Sequence, residues 1–160
     1  MERPNCLKTS KFLFVFALLL LFYRCSPGPI LDVNIPVPDN KWLHHNSAKV
    51  SFENKDSAAV YHLFFKIRNT SAYPYANLYV ILHINGPSLS KTIRYPFKMA
   101  HKTGMWTGKG SGNLYSNTFI LLKNFRFPAT GVYTIDIEQN MQDDPLIGIS
   151  DIGLVLSKAE

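Results

Sequence analysis

The sequence predicts an all-β fold: an antiparallel β-sandwich of the immunoglobulin-like or jelly-roll-like kind, preceded by a lipoprotein signal peptide. Three observations carry the sandwich. Apolar and polar residues alternate over most of the chain beyond residue 48, the period of strands with one buried face. Gly, Pro and Asn punctuate these runs at short intervals, and no stretch there holds a helical period. Aromatic residues make up 13% of the 160 residues, and aromatic and β-branched side chains pack well on a pleated surface. With 46% hydrophobic and 18% charged residues, the composition is that of a globular domain and not of a disordered chain.

Residues 1–24 read as a signal peptide. Arg3, Lys8 and Lys11 form a positive start, and residues 12–23 form an apolar run. That run is too short to span a bilayer as a helix, which needs roughly 20 residues, but it has the length of an exporting segment. Cys25 follows it. The other cysteine, Cys6, lies in the positive start, so removing the signal leaves Cys25 as the single thiol and excludes an intramolecular disulfide. A lone Cys at a mature N-terminus is what bacterial lipidation requires. Each acyl methylene buried in a membrane contributes about 0.8 kcal/mol, so several chains anchor stably. The residues before it, Phe22-Tyr23-Arg24, are larger than those usual at such a site. Residues 25–40 then read as a lipidated N-terminus and an extended linker stiffened by Pro27, Pro29, Pro36 and Pro38. The sandwich domain is placed at 41–160.

Within that domain a short strand at 48–54 turns Val50 and Phe52 to one side. A long one at 59–69 alternates Tyr61, Leu63, Phe65 and Ile67 with His62, Phe64, Lys66 and Arg68. The next, at 77–84, puts Leu78, Val80, Leu82 and Ile84 on one face, and Asn85-Gly86-Pro87 ends it in a turn. Strands at 92–98 and 117–122 follow, with Phe125-Arg126-Phe127 continuing the second after a break. Near the C-terminus, Tyr133, Ile135 and Ile137 alternate with Thr134, Asp136 and Glu138, and Ile152, Leu154 and Leu156 repeat the pattern. Between these last two strands lies a polar loop, 141–150, holding Asp143-Asp144-Pro145 and Gly148.

This C-terminal stretch resembles the signature of the GldH family of gliding-motility lipoproteins: a Gly turn, Tyr133-Thr134, a strand ending Glu138-Gln139, Met141, an acidic step, Leu146, Gly148-Ile149 and a final strand with Gly153-Leu154. The middle of the chain is similar too, in Ile67-Arg68-Asn69, Tyr73-Pro74, Asn77-Leu78, and Trp106 followed by Gly108, Gly110, Gly112 and Leu114-Tyr115. The resemblance covers residues 40–157. It departs at Ser116, where the family often has an acid, and near Gln142, where it often has an Arg. The resemblance implies a component of the gliding machinery, linked to the type IX protein secretion apparatus and its other lipoproteins.

Signals for catalysis are weak. His44, His45, His62, His83 and His101 show no metal-site spacing, and no serine sits in a nucleophile elbow. Residues 108–112 lack the spacing of a phosphate-binding loop. The expectation is therefore a non-enzymatic protein without cofactor or metal. Asp143 and Asp144 are the best polar candidates: an oxygen-rich loop can hold Ca²⁺, yet no spacing here matches a calcium loop, and Asp side chains before Pro145 fit the capping of a turn. With Gly148 they also mark a partner-binding loop, since functional residues concentrate on loops held by rigid strands. Trp42, Trp106 and Tyr115 are candidate surface aromatics, and stacking on sugars would make the protein a surface carbohydrate-binding sandwich, the alternative reading. Charge is uneven. Between residues 57 and 135 there are nine basic residues and no acidic one, whereas from Asp136 onward six acids face one base. Such asymmetry suits steering of a partner or nearness to anionic head groups, while nucleic acid is excluded by export. The expected partners are the membrane, through the lipid anchor, and other gliding or secretion lipoproteins in the cell envelope, at the periplasmic face of the outer membrane or at the inner membrane.

Overall fold

A computed structural model describes residues 28–159. Its strands are β1 (Leu31–Pro36), β2 (Lys41–Trp42), β3 (Ala48–Asn54), β4 (Tyr61–Thr70), β5 (Asn77–Gly86), β6 (Leu89–Lys98), β7 (Lys109–Ser111), β8 (Leu114–Phe125), β9 (Gly131–Gln139), β10 (Leu146–Ile147) and β11 (Ile149–Lys158). One 3₁₀ turn at Pro38–Asn40 joins β1 to β2, and no α-helix occurs among the described residues. The sheets run β1-β11-β4-β8-β7 and β3-β9-β5-β6, with β10 and β2 as a separate pair. Every pairing is antiparallel.

The pairing order selects between the two expected sandwich types. Setting aside the short β2, β7 and β10, eight strands remain. First pairs with last (β1 with β11), second with second-last (β3 with β9), then β4 with β8 and β5 with β6. This is one long hairpin whose successive rungs fall alternately into the two sheets. The rolled-up hairpin is the jelly-roll arrangement.

The period-two pattern decides which side chains meet between the sheets. Tyr61, Leu63, Phe65 and Ile67 of β4 are buried, as are Leu78, Val80, Leu82 and Ile84 of β5, Tyr133, Ile135 and Ile137 of β9, and Ile152, Leu154 and Leu156 of β11. All belong to one core. Rings bridge the sheets within it: Phe65 stacks on Phe97 at 5.8 Å, Phe97 on Phe119 at 4.2 Å, and Phe52 meets Tyr61 at 6.1 Å. Tyr133 ties two connections together. Its hydroxyl lies 2.9 Å from the Pro87 carbonyl in the β5–β6 turn and 3.0 Å from that of Ala129 before β9. Gly86 lets this happen, because a Cβ there would meet the Tyr133 ring at 2.2 Å.

The structure corrects the expected start of the domain. Residues 31–36 are not linker: β1 pairs in register with β11 from Leu31↔Leu156 to Pro36↔Asp151. Leu31, Val33 and Ile35 point inward and are half-buried. Pro36 is tolerated because it ends an edge strand, where a missing N–H costs no ladder bond. The signal peptide at 1–24 and Cys25 lie outside the described residues. The expected strands at 92–98 and 117–122 are longer, extending to β6 and β8, and Phe125 closes β8 while Phe127 packs in the core beyond it.

The faces of β9 generate a test. Ile135→Asp places an unpaired carboxylate in the core and should cost about 4 kcal/mol or more, the range reached when a charge is forced inside. Thr134→Asp, on the outer face opposite Ser51, should cost no more than about 1 kcal/mol. Urea unfolding of both variants reads the difference, and equal losses would contradict the assigned faces.

Candidate functional site

The 141–150 loop sits at one end of the sandwich, and the chain closes tightly around it. Leu146 is fully buried and pairs with Trp42, so β10 and β2 form a small lid. Gly148 adopts φ +80°, and a Cβ there would lie 2.4 Å from the Tyr73 backbone nitrogen and 2.7 Å from its Cα. No other residue fits against that backbone. Gly148 N–H donates to the Asn40 carbonyl at 2.8 Å, and its carbonyl accepts from Thr70 N–H at 2.8 Å. A register shift between Ile149 and Asp151 follows, a bulge on β11. It leaves the Ser150 carbonyl to accept from Val37 N–H at 2.9 Å. One short segment thus fastens β11, β4 and the β1–β2 connection.

The two carboxylates are turned into this closure. Tyr75 donates its hydroxyl to Asp143 Oδ2 at 2.6 Å. Asp144 Oδ1 accepts the backbone N–H of His44 at 3.0 Å, and its Oδ2 lies 3.6 Å from His44 Nδ1. His44 Nε2 lies 3.1 Å from the Met141 carbonyl. Beneath them, Gln139 donates to the Asp143 carbonyl at 2.9 Å and accepts from Met141 N–H at 2.8 Å. The hydrogen bond to Asp143, then burial, holds the Tyr75 hydroxyl above the usual tyrosine value. That tie is intact at neutral pH, below the unfolded value of about 10, and is lost as pH rises through the raised one. No three His, Cys, Asp or Glu side chains converge as metal ligands among the described residues.

The aromatic candidates separate. Trp42 is not at the surface. It is fully buried, donates its indole N–H to the Asn46 carbonyl at 2.7 Å and lies 6.4 Å from Phe65. Its burial follows from β2 folding under β10. Trp106 and Tyr115 are half-buried and lie 5.6 Å apart, and Trp106 also packs on Tyr73 at 6.2 Å. A cleft of about 410 Å³ opens beside Trp106, between Tyr73-Pro74-Tyr75 and His101-Lys102.

Sequence reasoning missed a feature next to the loop. The Arg94 guanidinium of β6 lies 4.3 Å over the Tyr79 ring of β5. Both line a second cleft, about 280 Å³, with Tyr75, Asn77, Met141 and Gln142. The partner signal available beforehand was the acid-free stretch that holds Arg94. Elsewhere basic residues of that stretch are paired: Lys66 with Asp32, and Arg68 with Asp151 at 2.6 Å.

The hydrogen bonds from Tyr75 and His44 to the loop carboxylates have a measurable consequence. Asp143→Ala combined with Asp144→Ala should lower stability by about 1–2 kcal/mol in urea unfolding, as a lost helix cap does. Calcium and chelator should leave the wild-type melting temperature unchanged. A chelator-sensitive wild type whose sensitivity vanishes in the double variant would contradict the assignment.

Three likenesses to known proteins fall on this fold. The family model described as GldH lipoprotein matches residues 30–156, from just before β1 almost to the end of β11. The gliding motility lipoprotein GldH homolog of Christiangramia forsetii is 32% identical over 163 aligned positions, covering 94% of this chain and 96% of that protein. The gliding motility lipoprotein GldH of Flavobacterium johnsoniae is 26% identical, covering 96% of this chain and 99% of its own length. The matched span begins with β1, in agreement with the corrected domain boundary, and on these grounds the chain belongs to the GldH lipoprotein family.

Proposed function

We propose that the protein acts by binding and not by catalysis, as an envelope lipoprotein component of a gliding machinery that is coupled to the type IX secretion apparatus. Acyl chains on Cys25 hold it to a membrane, and the short segment from Cys25 to β1 keeps the sandwich close to that surface. The observation that carries the reading is the match over nearly the whole length of both chains to relatives named for gliding motility. The loop geometry supports a binding role: a surface fixed by Gly148 and the β2–β10 pair presents its side chains with little left to order on contact. The carbohydrate alternative is weaker, because Trp106 spends its ring on Tyr73 and Tyr115.

Affinity capture from detergent-solubilised membranes tests the proposal. The wild type should retain other gliding or secretion lipoproteins, and Cys25→Ala should move from the detergent phase to the aqueous phase. Capture of no envelope protein, together with Trp106-dependent retention on a glycan array, would overturn the reading in favour of sugar binding.

A further inference from the structure

We propose that the cleft between β6 and the 141–150 loop is a carboxylate-binding site, centred on Arg94, that receives an acidic peptide segment of a partner protein. The inference rests on the reading above that the protein works by binding a protein partner. It reverses the charge that the sequence suggests for the contact. The conspicuous acids of the loop, Asp143 and Asp144, are engaged by Tyr75 and His44. The cation beside them, Arg94, has no carboxylate partner among the described residues.

Arg94 is exposed and makes no ion pair among the described residues. It is nevertheless positioned: its guanidinium lies 4.3 Å over the Tyr79 ring. Its N–H groups have no hydrogen-bond partner among the described residues, and the guanidinium fork matches a carboxylate with two parallel hydrogen bonds. The cleft of about 280 Å³ is walled by Tyr75, Tyr79 and Met141 and edged by the amides of Asn77 and Gln142. Neither amide side chain has a hydrogen-bond partner within the described chain, so both remain available to a peptide backbone. The volume suits an acidic side chain with part of its backbone, at the small end of ligand sites.

The surroundings agree in sign. β6 carries Lys91, Arg94 and Lys98 and no acid, and none of the three is ion-paired among the described residues. On the same sheet face the nearest row places Ile81 between Arg94 and Glu138, two strand spacings, or roughly 10 Å, apart. Glu138 meets His83 Nε2 at 3.2 Å, and Asp136 lies opposite His83 one row further on. Both acids stand away from the cleft, and Asp143, which accepts the hydroxyl of Tyr75 in the cleft wall, makes no ion pair with Arg94. An acidic segment would be steered by β6 and fixed in register by Arg94.

Titration of the peptide acetyl-Glu-Glu-Glu-amide into the isotope-labelled full chain in detergent micelles tests this by NMR. The Arg94 side-chain Nε–H and the Tyr79 and Gln142 amides should shift saturably. The matching Gln peptide should bind at least tenfold more weakly. Arg94→Gln should weaken the Glu peptide at least tenfold with an unchanged melting temperature. Arg94→Lys should restore only part of the loss, and Tyr79→Leu should weaken binding although the charge remains. Equal binding of Glu and Gln peptides, or no binding of either, would overturn the site. Arg94-dependent binding of oligogalacturonate without binding of the peptide would overturn the choice of a protein ligand. If affinity capture of envelope proteins persists undiminished in Arg94→Gln, this site is wrong while the binding reading stands.

Discussion

At Gly148 the chain runs against the backbone of Tyr73 with no room for even a methyl group. Much of one end of the sandwich follows from that contact. The positive φ turns the chain out of β10 and into β11 within two residues, so that Ile149 meets Asn69 and the ladder with β4 begins. The Gly148 amide and carbonyl then hold Asn40 and Thr70, both from the first half of the sequence. With Asn40 fixed, Lys41–Trp42 lies under Leu146–Ile147, and the Trp42 ring drops into the core. A side chain at 148 would push against backbone, which cannot yield as a flexible side chain can. The constraint is steric, and the hydrogen bonds around it exploit a closeness that glycine alone allows.

The same closure sets the electrostatics. A pair of adjacent carboxylates before a proline looks like a binding motif in a string of letters. In the fold each finds a donor supplied by a distant part of the chain, Tyr75 for Asp143 and His44 for Asp144. These bonds hold the half-buried Asp143 and the exposed Asp144 in place. The cations of β6, by contrast, make no ion pair among the described residues. Charge asymmetry along the sequence is real, but its meaning depends on which charges the fold pairs, as it pairs Lys66 with Asp32 and Arg68 with Asp151.

Legibility followed the range of the interactions. The buried faces of β4, β5, β9 and β11 were readable because alternation is local and each strand is long enough to show it. The jelly-roll order was not readable, since nested pairing joins residues as far apart as Leu31 and Leu156. β1 escaped notice because it is short, lies among prolines and owes its shape to β11. Trp42 lies in a stretch with Asn40, Lys41, His44 and His45 that suggests a surface, and the β2–β10 pair buries it. Gly148 was legible as part of a loop between two strands, whereas its contact with Tyr73 required the fold. Arg94 and Tyr79 are diagonal neighbours on adjacent strands, a relation that exists only once the β5–β6 register is set.

The central claim is that the 141–150 loop is a fastened part of the sandwich and not a mobile appendage. Native-state hydrogen exchange at the Gly148 and Thr70 amides measures this most directly, because these are the bonds that fasten it. The account predicts that both amides exchange only through opening of the core, with the same free energy as the amides of β4 and β11. Exchange at the rate of an exposed loop, while β4 and β11 stay protected, would contradict it.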